Sequence, residues 1–95
     1  MNTILLNGKK MTTKKGAHLY LKSMLLHPDY RGNNLDALWD VLSIVRQPVS
    51  IILYNKEFMD ENLGQYGNLI IEVFNEAAEA NNSIKFKVAR IRIKE

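Results

Sequence analysis

The side chains of this sequence best suited to chemistry are carboxylates at helical spacing: Asp36 and Asp40, four apart, and Glu72, Glu76 and Glu79, at steps of four and three. Carboxylates one turn apart can take up a divalent cation, exchange protons with a substrate, or accept charge-assisted hydrogen bonds from the Arg, Lys and His of a partner. The first two uses need more machinery than the chain shows. His18 and His27 have no second ligand at metal spacing, no His lies in the acidic segment after His27, and no Gly-rich loop is set to cradle a phosphate. With no Cys there is neither a thiolate ligand nor a Cys nucleophile. No catalytic residue, cofactor or metal is therefore expected, and the third use leads.

Asp36 and Asp40 belong to the run PDYRGNNLDALWD, Pro28 to Asp40, where turn residues, a helix start and an aromatic coincide. Pro28, Gly32, Asn33 and Asn34 spell a loop, and Asn33 is placed to cap the helix that follows. Leu35, Leu38, Leu42 and Val45 fall on one stripe of that helix, so Asp36, Asp40 and Ser43 fall roughly opposite, with Trp39 at the boundary and Ile44 among the polar residues. Asp36 stands where a carboxylate also serves the first-turn amides and the helix dipole. Asp40 has no such use, and its neighbour four residues on is Ile44 rather than a base.

This run resembles the signature loop and second helix of the barstar family, intracellular inhibitors of a secreted ribonuclease, and the surrounding pattern fits from about Ile4 to Val88. The resemblance implies that an acidic helix and its preceding loop plug a nuclease active site in place of RNA phosphates. The residues it implicates are Tyr30, Asn34, Asp36, Trp39, Asp40 and, on a later helix, Glu76. Two departures bear on the choice of partner: Arg31 stands where the family has a second aromatic, and Ile44 lies near a second family Trp. The implied partner is an extracellular-type ribonuclease or toxin nuclease, bound by a monomer in the cytoplasm.

Charge is distributed in a way that suits this reading. Residues 1–27 carry five Lys and no acid, giving +5; residues 28–79 carry nine acids against three bases, giving −6; residues 80–95 carry five bases and one acid, giving +4. If the two basic ends lie together, the molecule is electrically two-faced, with the signature run on its acidic side. The Lys-rich ends leave open an RNA-binding reading, but no aromatic is interleaved with Lys9, Lys10, Lys14 and Lys15, and no nucleic acid is expected. No apolar run approaches the about 20 residues of a membrane span, and Ile4–Leu6 is too short for a signal peptide core, so a cytoplasmic, membrane-free protein is expected.

Several elements must position these residues. Thr3 to Leu6 reads as a strand and Asn7 to Lys10 as a turn. A helix capped by Thr12 or Thr13 carries Ala17, Leu21, Met24 and Leu25 and closes at Leu26. Val49 to Tyr54 reads as a central strand buried on both faces. A short helix from Phe58 to Leu63 stops at Gly64, and a longer one starts at Asn68 with an apolar stripe of Leu69, Ile70, Val73, Phe74, Ala77 and Ala78. Ile84, Phe86 and Val88 alternate with Lys85 and Lys87 as a last strand, after which the apolar phase slips to Ile91 and Ile93, as at a bulge or the end of a sheet near Ala89. The order predicts one α/β domain over residues 1–95, a small, mainly parallel three-stranded sheet packed with about four helices.

Overall fold

Apolar alternation gives strands and apolar recurrence every three or four residues gives helices, and both periods run through this chain in turn. The computed structural model describes residues 2–27 and 30–90. Its elements are β1 (Asn2–Asn7), a short 3-10 helix (Gly8–Lys10), α1 (Lys14–Leu25), α2 (Leu35–Ser43), β2 (Val49–Tyr54), α3 (Lys56–Leu63), α4 (Gln65–Ala80) and β3 (Ile84–Val88). The fold is α/β: four α-helices pack with a three-stranded sheet of order β1-β2-β3 in which both pairs are parallel.

The register aligns side chains across the sheet in rows. Ile4, Ile51 and Phe86 form one row, and Leu6, Leu53 and Val88 the next, all turned toward the helices. Phe86 stacks on Phe74 of α4 with ring centroids 4.8 Å apart, which fixes α4 against β3. The alternate row of Leu5, Ile52 and Lys87 faces away, and Leu5 and Lys87 are exposed. β2 is thus buried on one face only, contrary to its uninterrupted apolar sequence. With no helix layer on the far side among the described residues, Ser50, Ile52 and Tyr54 are half-buried, and Lys85 and Lys87 supply the polar outer row of β3. Among the described residues β3 runs to Val88, and the Ala89 amide still donates to the Leu53 carbonyl at 2.8 Å; the expected slip of phase at Ile91 and Ile93 lies outside the described residues.

Close approaches pin the elements. The 3-10 helix crosses the end of β2 so tightly that a Cβ on Gly8 would lie 2.2 Å from the Asn55 carbonyl oxygen, so only glycine fits there. Buried Asn55 takes a left-handed backbone, φ 55°, and donates its amide to the Asn7 carboxamide at 3.1 Å. Thr13 caps α1 through the Gly16 amide at 2.9 Å, and Leu26 closes that helix in the left-handed conformation, φ 51°. α4 starts at Gln65, three residues before the expected Asn68. Gly67 lies inside its first turn because a Cβ there would meet Met59 of α3 at 3.3 Å, so the glycine marks helix contact rather than a helix boundary. Leu69, expected on the core stripe, is exposed; the buried residues of α4 are Gly67, Ile70, Phe74 and Ala77. α3 starts at Lys56, ahead of the expected Phe58, with Lys56 Nζ on Asp60 Oδ2 at 2.6 Å. No helix among the described residues is long and apolar enough to cross a membrane.

Candidate functional site

The loop after α1 and the helix it feeds carry most of the implicated residues. Asn34 rather than Asn33 caps α2: its backbone is extended, φ −144° and ψ 173°, and its side-chain oxygen accepts from the Ala37 amide at 2.8 Å. The Asn33 side-chain oxygen is engaged elsewhere, accepting from Lys22 Nζ at 2.7 Å, which is why the cap moves one residue on. The same Nζ donates to the Arg31 carbonyl at 3.2 Å and lies 5.5 Å from the centre of the Tyr30 ring.

α2 then buries Leu38, Val41 and Leu42 and leaves Asp36 and Asp40 exposed one turn apart. Asp36 stands in the first turn, where the helix dipole favours its charge. Asp40 makes no side-chain hydrogen bond or ion pair among the described residues; only its backbone carbonyl is used, by Ser43 Oγ at 2.8 Å. Trp39 is half-buried against the core, and Ile44, at the C-cap, is 46% exposed. Arg31 is exposed on the loop.

Glu76 stands on α4, the helix that packs on α2. α2 packs on α4, and the Asn81 side-chain amide, capping the end of α4, donates to the Leu42 carbonyl at 3.1 Å and the Val45 carbonyl at 2.8 Å. Glu76 is exposed, as are Glu72 and Glu79. Among the described residues no three His, Asp or Glu side chains gather as they would around a metal ion.

Tyr30 is held from within the fold. Expected as an aromatic contact for a partner, it is 4% exposed and points inward, its hydroxyl 2.6 Å from His18 Nδ1. The opposite ring nitrogen, Nε2, is 2.6 Å from the Tyr66 hydroxyl, so one imidazole joins the loop, α1 and α4. A neutral imidazole has one donor and one acceptor, so one tyrosine donates to the ring and the other accepts from it. Burial, with the Lys22 charge adding to it, lowers the His18 pKa and favours that neutral form. Burial, with Tyr66 alongside, pushes the Tyr30 phenol up, and burial raises Tyr66 in the same direction. Sequence reasoning did not find this bridge, since His18 and Tyr30 are 12 residues apart and His18 and Tyr66 are 48 apart. One signal was available: His18 lies between Ala17 and Leu21 on the buried side of α1, where a polar side chain needs a partner.

The profile of the family described as Barstar (barnase inhibitor) matches residues 1–90, and the chain belongs to that family. Among its relatives is the Bacillus subtilis (strain 168) protein named "Putative ribonuclease inhibitor YrdF". It is 41% identical over 80 residues, covering 83% of this chain and 88% of the relative.

Proposed function

We propose that this protein inhibits a ribonuclease by occupying its phosphate-binding site with the loop from Arg31 to Asn34, with α2 and with Glu76. The observation that carries this reading is the pair Asp36 and Asp40, exposed one turn apart on a helix whose entry is braced by Asn34, Lys22 and the Tyr30–His18 contact. Ribonuclease sites hold RNA phosphates with Arg, Lys and His, and rigid carboxylates compete for the same donors. Trp39 and Ile44 border the acids with apolar surface that excludes water from those contacts, and Arg31 answers an acidic or aromatic group of the partner. The family's description as barnase inhibitors and the name of the Bacillus subtilis relative support the same reading.

The test is to titrate a panel of basic ribonucleases with the protein, following RNA cleavage and complex formation, with labelled RNA alone as a parallel arm. The expected result is stoichiometric loss of cleavage for at least one nuclease. Retention of RNA without inhibition of any nuclease would overturn the reading in favour of the basic ends.

A further inference from the structure

Lys22 of α1 brings an ammonium against the backbone and side chains of the contact loop. We infer that Lys22 is the positioning residue of this loop, an internal cation that holds the backbone in its binding shape; the inference rests on the inhibitory reading above. Tyr30 is anchored below by His18, and Asn34 is anchored ahead by its cap. Between them Arg31, Gly32 and Asn33 must present a defined surface. Lys22 engages this span through the Arg31 carbonyl at 3.2 Å and the Asn33 carboxamide oxygen at 2.7 Å, and its ammonium lies 5.5 Å from the Tyr30 ring centre.

The chemistry favours a lysine here. An ammonium offers three donors and no acceptor, so it can tie two oxygens from different residues while its charge is answered by the aromatic face. Lys22 also stands in the last turn of α1, where the helix dipole favours a cation. Ordering a residue's backbone costs conformational entropy, so a loop held before the encounter binds better than one ordered during it. The charge directed into the loop is also less available to repel a basic nuclease.

Lys22→Met keeps the apolar stem and removes charge and donors; Lys22→Arg keeps both. Backbone 15N order parameters of Arg31, Gly32 and Asn33 in the free protein, thermal unfolding, and the affinity for a nuclease that the wild type inhibits separate the possibilities. The expected result for Lys22→Met is a fall of the loop order parameters from near 0.85 toward about 0.6, with α4 unchanged. Its melting temperature should hold and its affinity drop about tenfold, and Lys22→Arg should return both loop rigidity and affinity toward the wild-type values. Unchanged loop order in Lys22→Met overturns the inference, as does a loop equally mobile in Lys22→Arg, uniform loosening of the whole fold, or unchanged affinity despite a mobile loop. If Lys22 acts as a simple repulsive charge, Lys22→Met instead tightens binding without altering the loop. Should the wild type inhibit no nuclease, the inhibitory reading fails, and the order parameters alone decide whether Lys22 holds the loop.

Discussion

His18 Nδ1 stands 2.6 Å from the Tyr30 hydroxyl, which makes a buried histidine the floor of the acidic surface. The His18 pKa is lowered on folding from its ordinary 6.5, so the unfolded chain binds the proton more readily than the native one. The contribution to stability is complete above about pH 6.5, shrinks as pH falls below that value, and levels off beneath the lowered native pKa. Urea unfolding at a series of pH values, in the wild type and in His18→Gln, isolates this term from the carboxylates. The advantage of the wild type should narrow as pH drops from 7.5 to 5.5. A constant difference across that range would mean that the ring does not titrate with folding.

Asp40→Ala should separate binding from stability. The carboxylate makes no internal contact among the described residues, and Ala is the better helix former, so the melting temperature should hold or rise slightly. In the complex, deletion leaves buried cations on the nuclease unpaired, a loss of about 2–5 kcal/mol, a range drawn from interfaces that include this family's own. Dissociation should accelerate at least about a hundredfold, roughly 2.7 kcal/mol at 1.36 kcal/mol per decade. A variant that melts several degrees lower and dissociates at the wild-type rate would assign Asp40 a structural role.

Salt should act mainly on the encounter. Exposed Asp36, Asp40 and Glu76 attract a basic partner through water, where screening sets in over about 8 Å at physiological ionic strength. Stopped-flow association should slow steeply between low and high salt while dissociation changes little. A flat association rate would argue against steering by this face.

Leu26 closes α1 with φ 51° and an 81% exposed side chain, so it carries backbone strain without core contact in return. Leu26→Gly should raise stability by about 0.5–1 kcal/mol, read as a higher urea midpoint. A lowered midpoint would show that Leu26 contributes packing beyond what its exposure implies.

Gly8→Ala should do the opposite. The added methyl would meet the Asn55 carbonyl oxygen at 2.2 Å, backbone against backbone, and neither segment can yield without disturbing the buried Asn7–Asn55 pair. A loss of at least about 2 kcal/mol is expected by chemical denaturation. A shift below 0.5 kcal/mol, within the range of surface substitutions, would mean that the crossing relaxes freely.

What the sequence determined by itself follows from short-range physics. Local pattern located the three strands and the four α-helices, though not the 3-10 helix at Gly8–Lys10, and the spacing of Asp36 and Asp40 put both acids on one exposed helix face, because these patterns repeat over a few residues. Local competition could move a boundary: Asn34 caps α2 because Lys22 engages Asn33, and α4 absorbs Gly67 because α3 packs against it. Tertiary structure alone decided which face of β2 stayed open, since one apolar strand sequence serves a sheet covered on one side or two. It also decided the direction of Tyr30. Seen in sequence, a tyrosine beside a charged loop is an anchor for a partner; in the fold, His18 from α1 and Tyr66 from α4 meet beneath it and draw its hydroxyl inward. Contacts between residues 12 and 48 positions apart leave no periodic trace in the chain, because they depend on how whole elements pack rather than on what lies next to each residue.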